Sequence, residues 1–440
     1  MNIAEEKNKL GFWLSTSLVV GNMTGSGIFL LPAALAVYGG ISIFGWIFTT
    51  VGVLFLALLF SRLSKIITKA GGPYAYSREG FGDLAGFLVV WGYWVSIWCG
   101  NAAIAVAGVS YLSFFFPSLK ENNLLSAILA IAAIWIFTFI NTRNIRSVGK
   151  VQLITTILKL LPLIIFGTVG YLYFDSNHFV PLNISGESNF GAITASAALA
   201  LWAFLGLESS TIPSDKVENP TKTIPRATIA GTIIAAMIYI SSTVAIMGII
   251  NPTDLQNSTA PFADAAQMVW GNWASYLVAI GAAISCFGAL NGWILLQGQL
   301  PMAAARDKLF PARFMKVSKG GIPIIGLIIA SVLASILVSM NYSKGLVKMF
   351  SFIIMLSTLT CLVPYLFSSL VEVTLCLRKR ISCEKKQLRL AILISIPAFL
   401  YSLWAISGLG YDVIFWGVLL LAAGIPIFVY VKKTEVRSKK

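Results

Sequence analysis

The chain has 440 residues, of which 57% are hydrophobic and 11% charged, and its mean hydropathy is +0.83; since a soluble domain carries about 25% charged residues, a soluble protein is excluded. A membrane-spanning helix takes about 20 apolar residues, so this length predicts one all-α transmembrane domain over 1–440 with roughly 12 spans and no room for a soluble domain beside them. The net charge of +15 would suit nucleic acid only if the cations gathered in one groove among aromatics, and they are scattered instead.

The first residues, with Glu5, Glu6, Lys7 and Lys9, run into an apolar stretch longer than a signal h-region and without an A-x-A cleavage site, which reads as a retained first span. In chain order, apolar runs separated by polar or Pro/Gly-bearing breaks predict helices near residues 11–38, 41–67, 83–115, 124–142, 148–174, 190–214, 227–250, 275–304, 323–341, 347–376, 388–408 and 412–431. A single histidine, His178, and five dispersed cysteines (Cys99, Cys286, Cys361, Cys376, Cys383) offer no metal-ligand spacing and no C-x-x-C pair. No metal, cofactor or disulfide framework is expected.

The cations fix a predicted topology. Arg62, Lys65, Lys69 and Arg78 fall on one side, as do the groups around Arg143, Lys216, Arg306 and Arg378 and both ends of the chain, 28 of 32 in all. The other side receives Lys120, Lys344 and Lys348, and Lys159 lies within a span. The positive-inside rule then makes the first side, with both termini, cytoplasmic.

Two spans are interrupted. In the first, Gly21-Asn22-Met23-Thr24-Gly25-Ser26-Gly27 breaks the apolar run with poor helix formers at mid-membrane. Unpaired backbone costs several kcal/mol per group in hydrocarbon, so such a break persists only beside protein or a water-filled cavity. The sixth span carries Leu205-Gly206-Leu207-Glu208, a glycine next to a carboxylate that is costly in a membrane and functional by default. Interrupted spans five apart point to an inverted-repeat transporter with its site at the breaks. The repeats would cover about 11–174 and 190–376, with extra helices at about 388–431. Free N–H groups near Ser26 and Gly27 would bind a carboxylate, and unwound carbonyls around Trp202 and Ala203 an α-ammonium. Together these describe a free amino acid as substrate.

The residues GNMTGSGIFLLPA, GGPYAYSREGFG, GNAAIAVAGVSYLSFFFP, LWAFLGLES, ENPTKTIPRAT, STAPFADAA, NGWILLQGQ, AAARDKLFP and LVPYL together resemble the amino acid–polyamine–organocation transporters, most closely the bacterial basic amino acid/polyamine antiporters. The resemblance covers nearly the whole chain. It implies that Asn22, Ser26 and Gly27 receive the substrate carboxylate, that Trp202 caps the site as a gate, and that Trp293 carries a guanidinium or alkyl-ammonium side chain. A desolvated cation–π contact is worth about 2 kcal/mol, which suits that last role. Met23, Ser96, Asn101, Ala203, Leu205 and Ser357 complete the implied binding set, and Tyr93, Lys159, Glu208 and Tyr365 the gating or coupling set.

Two positions depart from the arginine/agmatine-type pattern. Lys159 stands where those exchangers have an apolar residue, and is similar to the pattern of branches in which the ammonium replaces a sodium ion, so it is a candidate for proton coupling; snorkelling to the surface is its other reading. Ile104 replaces a methionine, and Ser96 differs as well. The expected function is exchange of arginine, ornithine or lysine for a related amine or amino acid by alternating access, in the inner membrane, as a homodimer. The alternative is a proton-coupled, sodium-independent amino acid symporter. An enzyme is disfavoured because no His/Asp/Glu cluster or acid–nucleophile pair stands out, and a channel because no repeated filter or ring of charge does.

Overall fold

The computed structural model describes residues 10–25, 27–69, 71–143, 159–212, 214, 217–317 and 322–438, and their regular elements are all helices. The first span is two pieces, α1 (Phe12–Met23) and α2 (Gly27–Ala36), bent by 42° at the glycine-rich break. α1 ends where Thr24 leaves helical geometry: its N–H still reaches Val20 O at 2.7 Å, while Gly25 N–H folds back to Met23 O at 2.8 Å. The second span is α3 (Ser42–Ile66). A surface helix, α4 (Pro73–Phe81), follows, opened by Pro73 at its first position, where the missing N–H is one that a helix start leaves unused anyway. Spans three to five are α5 (Asp83–Leu112), α6 (Asn123–Arg143) and α7 (Lys159–Tyr173). The predicted stretch 148–158 ahead of α7 lies outside the described residues.

The second set opens with α8 (Asn189–Leu201), which loosens into a 3-10 turn at Trp202–Phe204 and a second at Ser209–Thr211. Then come α9 (Pro220–Ile249), the short α10 (Pro261–Trp270), α11 (Asn272–Arg306), α12 (Ile324–Asn341) and α13 (Leu346–Leu377). α14 (Lys385–Ser407), α15 (Tyr411–Ala422) and α16 (Gly424–Ser438) close the chain. Among the described residues ten helices are long and apolar enough to cross a membrane, eleven with α1 and α2 taken as one bent span. α7 supplies the remaining member of the predicted dozen. The short helices α4 and α10 are additions that the apolar-run reading passed over.

Packing places α5 at the centre: 94% of its apolar window is buried, against 17% for the last span. Lipid is as apolar as leucine, so helices associate in a membrane through close packing and hydrogen bonds rather than through exclusion from water. α5 is accordingly pinned by polar contacts. Trp94 Nε1 donates to Gln297 O of α11 at 2.8 Å, and Tyr111 Oη donates to Phe29 O of α2 at 2.7 Å. α3 is held to α8 by Thr49 Oγ1 donating to Ala197 O at 2.8 Å.

On the face of the molecule that carries the ends of the chain, Leu10 pairs with Val217 and Lys432 Nζ with Asp83 at 2.7 Å. Arg78 of α4 bridges Asp83 at 3.0 Å and Asp307, just past α11, at 3.1 Å. Tyr74 donates to Asp307 at 2.6 Å. One expectation is corrected here. Cys376 and Cys383 form a disulfide, because Lys379 takes a left-handed conformation and turns the chain back over the end of α13, with Arg380 N–H on Leu375 O at 3.0 Å. A six-residue spacing across a helix end carries no sequence signature for that closure.

Candidate functional site

The two interruptions meet. Gly206, at φ +102°, lies in a conformation that side chains rarely adopt and presses on the Asn22 backbone: a Cβ there would come 3.4 Å from Asn22 C. The chain of the sixth span thereby turns out of helix where the first span is broken, and a cavity of about 40 Å³ opens between them. Asn22, Met23 and Gly27 of the first span line it, with Trp202 and Leu205 of the sixth, Tyr93 and Ser96 of α5, Trp293 of α11 and Ser357 of α13. Nine of the fifteen predicted site residues are brought together in this way. Ser26 lies outside the described residues.

Trp202 fills the middle. Its Nε1 faces Gly27, where a Cβ would stand 2.3 Å away, and its Cη2 faces Gly100 of α5, where a Cβ would stand 2.9 Å away. The indole therefore seats between two glycines that leave it room, one on the broken first span and one on α5. Ser357 Oγ donates to Ser96 O at 2.7 Å, and the two hydroxyl oxygens are 3.0 Å apart, which ties α13 to α5 behind the indole. The first N–H groups of α2, starting at Gly27, form a helix N-terminus, an end whose free N–H groups are chemically suited to an anion. Across the cavity, Trp202 O accepts Leu205 N–H at 3.2 Å and retains a second lone pair for an ammonium donor.

Five predicted residues stand outside the lining. Asn101 is fully buried but turned away, with Nδ2 on Gln297 Oε1 at 2.7 Å, while Gln297 Nε2 continues to Ser331 Oγ at 2.8 Å. It belongs to a polar chain joining α5, α11 and α12. Ala203 is buried within the 3-10 turn Trp202–Phe204. Glu208 is fully buried; Oε2 accepts from Tyr365 Oη at 2.9 Å, and Oε1 has no hydrogen-bond partner among the described residues. Tyr93, which lines the cavity, also neighbours Glu208 electrostatically, so the carboxylate reaches the cavity through a tyrosine. Lys159 is fully buried, its Nζ without a hydrogen-bond partner among the described residues, with Cys286 of α11 as an electrostatic neighbour. Burial removes the snorkelled reading. The lining also holds Gly25, Ile97, Gly100, Ile104 and Cys361; of these the sequence singled out Gly25 as part of the break and Ile104 as a departure, while Ile97, Gly100 and Cys361 went unselected.

Above the cavity, on the side away from the chain ends, Phe29 of α2 meets Tyr111 of α5 at 5.9 Å and Phe262 of α10 at 5.5 Å between ring centres. The aromatic cluster caps the broken first span.

The whole chain has the fold of a manganese transporter from Eremococcus coleocola solved by crystallography, at a TM-score of 0.59 and 12% identity, with 99% of this chain and 97% of that one covered. Curated relatives include the cadaverine/lysine antiporter of Escherichia coli K12, 37% identical over 369 residues with 82% of each chain covered. The putrescine transporter PotE of Haemophilus influenzae is 33% identical over 430 residues, with 98% of each covered. The profile of the amino acid permease family matches residues 10–431, and over that length the chain belongs to the amino acid permease family.

Proposed function

We propose that the protein exchanges a cationic amino acid for a related amine or amino acid by alternating access, as a multi-pass protein of the inner membrane with the ends of its chain in the cytoplasm. The observation that carries this reading is the cavity itself: a helix N-terminus at Gly27 and a free carbonyl lone pair at Trp202 suit the two ends of an amino acid, and Trp293 offers a ring face to a side-chain cation. No carboxylate lines the cavity among the described residues, so recognition of that cation rests on aromatic faces and not on an ion pair. The names of the cadaverine/lysine and putrescine relatives point to the same chemical class.

In this mechanism Trp202 is the gate. Seated between Gly27 and Gly100 it closes the cavity to one side; withdrawal with the sixth span would open it. A homodimer belongs to the same proposal, since the last two spans leave most of their apolar windows uncovered, with only 33% and 17% buried. A second reading has its own observation. A fully buried Lys159 without a hydrogen-bond partner among the described residues is what a proton-coupled symporter would place between its helices.

Counterflow in proteoliposomes decides between them. Vesicles are preloaded in turn with lysine, cadaverine, arginine, agmatine, ornithine, putrescine or a neutral amino acid, and labelled external lysine, arginine and ornithine are followed with and without a proton gradient. Exchange predicts uptake only when a particular internal amine or amino acid is present. Gradient-driven accumulation in empty vesicles refutes obligate exchange and establishes symport. Absence of both refutes the transport assignment of this cavity.

A further inference from the structure

A second cavity lies outside the transport site. It is a groove of about 350 Å³ between α5, α12, α13 and α15, floored by Trp98 and walled by residues such as Leu337, Phe352 and Leu420. Its lining is apolar with two exceptions at the mouth, Asn341 and Lys344. Lys344 Nζ sits 3.8 Å from the centre of the Phe352 ring and forms no ion pair among the described residues. It stands in the turn joining α12 to α13, on the face away from the chain ends, where the sequence places only three lysines. No acidic residue occurs between Asp307 and Glu372, so the corner carries positive charge uncompensated by its own segment. At the other end of the groove the Trp98 indole is nearly fully buried, with its N–H lacking a partner among the described residues.

A hydrophobic slot that runs into the membrane and ends at a lysine with no ion pair among the described residues fits an amphiphile with an apolar tail and an anionic head. We propose that the groove binds an anionic phospholipid of the leaflet opposite the chain ends, with an acyl chain between α12 and α15 and the phosphate on Lys344. Charge selects the class: a lysine at the bilayer surface attracts an anionic headgroup, and the tail contributes through each buried methylene. The site is separate from the transport cavity but shares its walls. Trp98 and Leu356 face the groove, while their neighbours Ile97 and Ser357 face the substrate cavity. A bound lipid therefore braces α5 and α13 from behind the Ser96–Ser357 hydrogen bonds.

The test needs no transport assay. The full-length protein is reconstituted with a trace of phosphatidylglycerol bearing a diazirine on one acyl chain, or with phosphatidylcholine bearing the same tail, and cross-linked peptides are mapped after illumination. The phosphatidylglycerol probe is expected to label segments 333–340 and 416–420 several-fold more than the phosphatidylcholine probe. Lys344→Gln should abolish that difference, Lys344→Arg should keep it, and Leu337→Trp, which fills the slot, should remove both labels while circular dichroism and melting remain as in the wild type. Equal labelling by the two probes in the wild type, or an undiminished preference in Lys344→Gln, overturns the proposal and leaves the groove to bulk lipid. Absence of label from both probes also overturns it, and an inter-copy cross-link through Trp416→Cys would then assign the groove to a second copy of the chain.

Discussion

At the scale of the single residue, Trp202 and its two glycine seats are the sharpest feature. A methyl group at Gly27 would stand 2.3 Å from Trp202 Nε1, so Gly27→Ala forces the indole off its seat. Overpacking costs about 1–3 kcal/mol, which lowers the seated population by roughly five- to 150-fold. The expected outcome is a loss of exchange of that order with melting little changed, read by counterflow and by Trp fluorescence; unchanged exchange would mean that closure does not require this seat. Gly100→Ala, with its Cβ at 2.9 Å from the far end of the ring, should have the milder effect of the two.

Trp293 makes a separate demand. If its ring face holds the side-chain cation, Trp293→Ala should weaken lysine or arginine binding by about 2 kcal/mol, close to thirtyfold, and leave a neutral amino acid nearly unaffected. Calorimetric titration of both ligands checks this, and equal losses remove the cation–π role. The lining residues legible from sequence share a reason: glycine-rich breaks and lone polar groups at mid-membrane are exceptional, so Asn22, Met23 and Gly27 stand out. Ile97 and Gly100 are ordinary members of an apolar helix, and only the approach of the Trp202 ring makes them part of a site. Asn101 misleads in the opposite direction. A carboxamide in a span looks like a ligand, yet an unpaired buried amide is expensive, and here Gln297 satisfies its Nδ2.

At the scale of elements, the breaks in the first and sixth spans were readable because they interrupt otherwise continuous apolar runs. The short helices α4 and α10 were not, since neither is long or apolar enough to register as a span, although Pro73 and Pro261 at their first positions are start signals. Sequence reading also took Arg62 only as a topology signal. In the fold its guanidinium pairs with Glu372, tying α3 to α13 at a point where the carboxylate is 3% and the arginine 22% exposed. Breaking a fully buried pair costs about 3–5 kcal/mol, and the partial exposure of Arg62 reduces this to roughly 2 kcal/mol. Glu372→Gln should accordingly lower the melting temperature in detergent, and Arg62→Gln with Glu372→Gln should lower it by less than the two single losses added together. Strict additivity would show that the two side chains do not stabilise one another.

At the scale of the whole molecule, charge and connectivity say the same thing by independent routes. The twelve predicted spans bring both ends to one face, where Leu10 meets Val217 and Lys432 meets Asp83, and that face also holds the Arg78, Asp83 and Asp307 network. Most of the surplus cations behind the net charge of +15 lie in the loops of this face. Under the positive-inside rule the expected orientation has that face in the cytoplasm. The orientation is measurable with single cysteines, because Cys99 and Cys286 are buried and Cys361, which lines the cavity, Cys376 and Cys383 can be replaced by serine. On that background a membrane-impermeant maleimide should label Lys344→Cys in intact cells and Arg306→Cys only after the membrane is opened. Both positions are exposed, so accessibility within the fold does not separate them. The reverse pattern would place the chain ends outside, and would require the loop cations to be retained for a reason other than topology. It would also move Lys344, and the groove that it guards, to the inner leaflet.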